Sequence, residues 1–183
     1  MNNPHREKAA LLLLTPTDLA DLSKADARSV VNFMKFQRVE AGATFIREGE
    51  VTHTDFMVLI LEGDVSVESE VASADGGIVM SNIGPGSLIG EMGLLDGAPR
   101  SATCTAMTDL EVAVLTRDAV LELIKDNPAV AARLMLAISK RLADRLREAN
   151  HNIRLLGGVN ILLQQELDAL HGADQPVPDS SQH

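Results

Sequence analysis

At 183 residues and 45% apolar side chains, the chain is long enough for one domain with an appendage and too apolar for wholesale disorder. Its 26 acidic and 16 basic side chains give a net charge of −10, which opposes binding to DNA or to anionic membranes, and four Phe with no Trp or Tyr exclude an aromatic stacking platform for single strands. The one cysteine, Cys104, rules out an intramolecular disulfide and points to a reducing compartment, so a cytoplasmic protein with no membrane partner is expected.

Residues 1–35 read as an N-terminal helical segment. Apolar side chains at Leu19, Leu22, Ala27, Val30, Val31, Phe33 and Met34 recur at roughly helical spacing. Thr17, Asp18 and Ser23 offer N-caps, so two short helices are expected. The leucines at 11–14, flanked by Lys8 and Asp18, form a run far too short to span a bilayer, and no secretory signal is evident.

Residues 36–117 change character. Turn signals recur at Ala41-Gly42, Gly49-Glu50, Gly63-Asp64, Gly76-Gly77, Gly84-Pro85-Gly86 and Asp96-Gly97. Between them lie short β-type runs at 56–61, 65–68, 78–80 and 110–115, of which the second and last alternate at period two. Many short strands at such spacing indicate a small sandwich or barrel. Cys104 falls in the alternating run 103–106, where a small packing residue is the natural role.

Residues 118–172 read as helical. Pro128 suits the first turn of a long helix, behind Asp126 and Asn127 as caps. Leu142, Leu146, Ala149, Ile153, Leu156, Leu163, Leu167 and Leu170 then recur in steps of three and four, with Asn160 at the skipped heptad position. That seam suggests a homodimer through the C-terminal helix. Gly157-Gly158 supports the alternative of a helix folded back on its own domain, since glycine weakens a helix by about 1 kcal/mol. The tail, 173–183, is expected to be disordered.

The chemistry concentrates in residues 84–103. A glycine-rich turn ending at Gly90 leads into Glu91 and one helical turn, and a second turn, Gly97-Ala98-Pro99, delivers Arg100. Small residues beside a helix start leave backbone N–H groups converging on one place, which suits an anion. Arg100 adds a permanently charged fork, Ser101 a hydroxyl, and Glu91 an acceptor suited to a sugar hydroxyl. One acid and one base fit a nucleotide with a single phosphate charge. The absence of Lys and of a Gly-Lys-Ser motif argues against a triphosphate. An isolated acid and base nine residues apart would more often pair on the surface; the surrounding pattern is what favours a site.

That pattern, Gly90-Glu91-Met92-Gly93-Leu94 followed by Pro99-Arg100-Ser101-Ala102, closely resembles the phosphate-binding cassette of the cyclic-nucleotide-binding domain family. The runs 41–50, 56–65 and 115–128 resemble the family's flanking segments, so the likeness covers about residues 19–147. The resemblance implies an α+β fold, an antiparallel β jelly roll (double-stranded β-helix) flanked by N-terminal helices and a long C-terminal helix. It implies that Glu91 accepts from the ribose 2′-hydroxyl and that Arg100 pairs with the cyclic phosphate. Backbone near Gly90 and Ala102, with Ser101, would complete the phosphate shell, Leu88, Ile89 and Met92 would line the ligand, and Arg141 or Arg145 would stack on the base. Cyclic AMP is favoured over cyclic GMP. The reading is of a binding protein and not an enzyme, working as a stand-alone sensor that signals to an unknown downstream protein. A fold that has lost its ligand and serves as a dimeric scaffold is the alternative. Two further readings fare worse: a DNA-binding regulator opposes the charge, and a metal enzyme opposes the scatter of five histidines, so no metal is expected.

Overall fold

The computed structural model describes residues 4–14, 22–69 and 78–173. The chain forms two compact units, residues 1–141 and 142–183. The first opens with helices α1 (Pro4–Leu13) and α2 (Lys24–Asn32). Thr17 and Asp18, expected as caps, lie with Leu19 outside the described residues. The buried stripe of α1 is Ala9, Ala10 and Leu13, so the leucine run that is too short for a membrane ends a packed helix. Helix α2 starts at a capping box in which Ser23 and Asp26 satisfy each other's backbone donors. Arg28 clasps Glu7 at 2.7 and 2.9 Å, joining the two helices.

Among the described residues, eight strands follow in two antiparallel sheets. Strands β1 (Lys35–Val39), β3 (Phe56–Glu62), β6 (Leu88–Ile89) and β8 (Leu110–Thr116) order as β1-β8-β3-β6. Strands β2 (Thr44–Ile46), β4 (Val65–Ser69), β5 (Ile78–Ile83) and β7 (Thr103–Ala106) order as β2-β7-β4-β5. The sheets face one another across Ile46, Val58, Ile60, Val65, Val67, Ile89, Cys104, Ala106, Leu110 and Val112. This is the jelly roll, and its alternating inward residues are what the period-two runs encode. Buried Cys104 is one of the small side chains that let the sheets approach.

The roll is interrupted by a short helix, α3 (Glu91–Asp96), and closed by α4 (Arg117–Asp126) and α5 (Pro128–Ala173). Thr116 caps α4, and the Asn127 carboxamide accepts from Val130 at the start of α5. Within the first unit α5 buries Val130, Ala131, Leu134, Ala137 and Ile138. Arg133 pairs with Asp26 at 2.7 and 3.0 Å, fastening α2 to α5.

The second unit is the remainder of α5. Leu142 is half-buried, and beyond it Leu146, Ile153, Leu156 and Leu163 of the seam are 53–69% exposed, as are Leu155, Val159, Ile161 and Leu162. Gly157 and Gly158 lie inside the helix. The side chains of Leu167 and Leu170, and residues 174–183, lie outside the described parts.

Candidate functional site

The site is built where β6 turns into α3 and where α3 returns to β7. Gly90 caps α3 from the left-handed region at φ 81°, a conformation that favours glycine. It also sits where no side chain fits, since a Cβ there would lie 2.6 Å from Arg100 Nη1 and 3.0 Å from the Phe56 carbonyl. Gly93 is constrained in the same way: a Cβ would meet the Thr54 carbonyl oxygen at 2.7 Å and Arg100 Nη1 at 3.0 Å. The two glycines let α3 press onto the loop before β3, with the Arg100 side chain caught between.

Arg100 is 5% exposed and Glu91 2%. The arginine backbone is fixed by two bonds to the 47–50 turn, from its N–H to the Glu50 carbonyl and from the Gly49 N–H to its own carbonyl. Its guanidinium donates to three main-chain carbonyls. Nη1 reaches Phe56 and Gly90, each at 3.1 Å, and Nη2 reaches His53 at 3.0 Å and Phe56 at 3.1 Å. The Phe56 ring lies beneath it, with Cζ 4.3 Å from the ring centre. No carboxylate lies within ion-pairing distance of Arg100 among the described residues. Burial pushes its pKa down from the ordinary value, against the fields of Glu50, Cys104, Asp55 and Glu91; an arginine stays charged at neutral pH all the same. A buried cation held by dipoles and not neutralised by an acid is suited to an anion.

The other predicted residues are placed as follows. Ser101 is exposed, its hydroxyl 3.9 Å from the Met92 sulfur, and Met92 is 47% exposed. Leu88 and Ile89 are buried on β6, Ile89 within the core, and Ala102 packs against that core from a half-buried position. Arg141 donates from Nη2 to the Leu88 carbonyl at 2.8 Å. Arg145 is exposed in the second unit. The first unit therefore brings together Leu88 to Met92, Arg100 to Ala102 and Arg141, while Arg145 belongs to the other unit.

Sequence reasoning missed the carbonyl cradle of His53 and Phe56. Its one local signal is geometric: His53 has φ 53°, the only non-glycine residue at positive φ among those described. Among the described residues no group of three or more His, Cys, Asp or Glu is placed to hold a metal ion, and no helix is long and apolar enough to cross a membrane.

Known proteins resemble this chain. Residues 36–127 match the family described as "Cyclic nucleotide-binding domain". A CRP-like cAMP-activated global transcriptional regulator of Mycobacterium tuberculosis is 29% identical over 112 residues, 61% of this chain and 47% of that protein. The cyclic AMP receptor protein of Thermus thermophilus is 46% identical over 74 residues, 40% of this chain and 32% of the relative. The chain thus spans half or less of the length of these relatives. Among solved structures, a cyclic nucleotide-binding domain from Methylobacillus flagellatus superposes with a TM-score of 0.70 at 28% identity, covering 81% of this chain and 82% of the other.

Proposed function

The chain belongs to the cyclic nucleotide-binding domain family, and from that premise we propose that it is a sensor of a 3′,5′-cyclic purine nucleotide, with cyclic AMP preferred to cyclic GMP. The observation that carries the reading is Arg100: a buried guanidinium, oriented by three carbonyls and ion-paired with no carboxylate among the described residues. In this reading it holds the cyclic phosphate, with Ser101 and the backbone at Gly90 and Ala102 beside it. Glu91, buried next to that charge, accepts from the ribose hydroxyl. Leu88, Ile89 and Met92 border the ligand. Arg141 is the better placed of the two helix arginines, because its bond to Leu88 keeps it on β6; Arg145 is the alternative base contact.

Binding acts by population shift, through whatever difference in affinity the ligand has for two arrangements of the cassette and α5. The exposed seam of the second unit supports a homodimer through α5, since a run of apolar side chains standing in solvent marks an interaction surface. The net charge of −10 favours a protein as the downstream partner over nucleic acid. Preference for cyclic AMP is supported by the relatives named for it.

Calorimetric titration with cyclic AMP, cyclic GMP and 5′-AMP tests the sensor, after confirming that no nucleotide has co-purified. Micromolar or tighter binding of a cyclic form, with 5′-AMP much weaker, is expected. No binding by any of the three rejects the reading in favour of a scaffold. Sedimentation equilibrium tests the dimer, and a monomer with and without nucleotide removes it.

A further inference from the structure

Helix α3 has six residues, too few to hold a helix without help from its surroundings. It carries Glu91 at its first position and follows Gly90, whose carbonyl receives Arg100. The carbonyls at its far end lack partners within the helix and must find them outside. The Gly97 N–H serves the Gly93 carbonyl at 2.9 Å. Two side chains from other segments serve the carbonyls beyond. Arg117 Nε donates to the Leu94 carbonyl at 3.0 Å, and the Thr54 hydroxyl donates to the Gly97 carbonyl at 3.3 Å.

The Arg117 side chain makes no other bond of this kind. Leu94 is the one acceptor it meets among the described residues, and no carboxylate pairs with it there. Its Nη2 is closed to solvent and has no hydrogen-bond partner. A half-buried guanidinium with a single carbonyl for company is a poor stabiliser of the fold. A position that breaks a stability rule in this way points to a task other than stability.

The main chain of Arg117 shows the task. Its N–H donates to the Asp55 carbonyl at 2.7 Å. Asp55 lies between His53 and Phe56, whose carbonyls orient Arg100. One residue therefore holds both walls of the Arg100 cradle, the 53–56 loop through its backbone and α3 through its side chain. Buried Thr54 belongs to the same clasp, since its carbonyl is the atom against which Gly93 packs. Arg117 is also the first residue of α4, so a movement of α3 reaches α4 through one hydrogen bond.

We propose that Arg117 is a positioning residue of the anion site: through Leu94 it fixes α3 against the 53–56 loop, and so sets where Glu91 and the Arg100 fork stand. This rests on the sensor reading. The bond to the carbonyl performs the role, and the charge of Arg117 does not.

The geometry of that bond selects the variants. Glutamine places its amide nitrogen as many bonds from Cα as arginine places Nε, so Arg117→Gln keeps the donor and loses the charge. Arg117→Met puts a methyl there and loses both. Titration calorimetry of the full-length protein with cyclic AMP, corrected for the folded fraction of each variant, should find Arg117→Met weaker by roughly threefold to tenfold, the scale of one neutral hydrogen bond. Arg117→Gln should bind as wild type does. Amide exchange across residues 91–97, measured without nucleotide, should be faster in Arg117→Met and unchanged in Arg117→Gln. If Arg117→Met does not fold, Thr54→Val, which removes the hydroxyl at Gly97, should speed the same exchange and weaken binding in the same direction. Equal losses in Arg117→Gln and Arg117→Met would assign the effect to charge and overturn the proposal, as would faster exchange with unchanged affinity. A wild type that binds no cyclic nucleotide would overturn the sensor reading and this role with it, whereas intact binding with unchanged exchange in Arg117→Met would overturn the clasp alone.

Discussion

Arg133 and Arg100 each carry a guanidinium against the first unit, and they end on different kinds of partner. Arg133 meets the Asp26 carboxylate through two bonds, at 2.7 and 3.0 Å, and its side chain remains 44% exposed. Arg100 is 5% exposed and meets three neutral carbonyls. The first arrangement is complete in itself: the charges cancel, and the pair fastens α2 to α5. The second orients a charge without cancelling it. Dipoles from carbonyls fix the fork and lower the cost of burying it, but they leave the positive potential in place for an anion. The contrast separates a structural arginine from a binding one by partner type, where burial alone would not.

The largest expected effect breaks the contrast at its functional end. Arg100→Ala should weaken cyclic-nucleotide affinity by about 2–5 kcal/mol, or roughly 30-fold to several thousand-fold in titration calorimetry. Affinity equal to wild type would transfer the anion site elsewhere. Gly93→Ala tests the cradle and leaves the charge alone. The added methyl meets a main-chain oxygen at 2.7 Å, and backbone cannot step aside as a side-chain tip can. A loss of about 1–3 kcal/mol in chemical denaturation is expected, with affinity falling alongside; an unchanged variant would show that α3 can stand off from the 51–56 loop. Glu91→Ala removes an acceptor and leaves the fork, so its affinity loss should be smaller than that of Arg100→Ala, on the order of 1–3 kcal/mol in the same titration.

How much of this the sequence discloses depends on which atoms do the work. The cassette is legible because side-chain identity carries it: two glycines that admit close approach, one buried acid, one buried base. The roll is legible because turn residues and period-two alternation are local properties. The cradle is not, since every residue has a carbonyl and nothing in His53 or Phe56 announces that theirs converge on Arg100. The Arg133–Asp26 pair spans 107 residues, and Asp26 shows in sequence only as the third residue after a cap. Helix α1 is set by the packing of Ala9, Ala10 and Leu13, and no cap expected from the sequence marks its start. Arg141 and Arg145 are equivalent by spacing, and the bond from Arg141 to the Leu88 carbonyl, 53 residues away, is nothing that spacing can show.

The smallest effect sharpens the structural end of the comparison and gives it a sign. The hydrogen bonds from Arg133 and Ser23 hold the Asp26 carboxyl down at about 2, below its ordinary 3.8. A folded-state pKa below the unfolded one means that the unfolded chain takes up the proton first as pH falls. The stabilisation is therefore complete above about pH 4 and is lost as pH drops towards 2. With Arg133 partly exposed, solvent screening limits it to roughly 1–2 kcal/mol. Asp26→Asn should be less stable than wild type by that amount in urea denaturation at neutral pH, and the gap should close between about pH 4 and 2. Nucleotide affinity should not follow it, because Asp26 belongs to a pair that is already neutral. A stability gap independent of pH would mean that the Asp26 charge is not what stabilises the fold, and that Arg133 contributes no more than its exposure suggests.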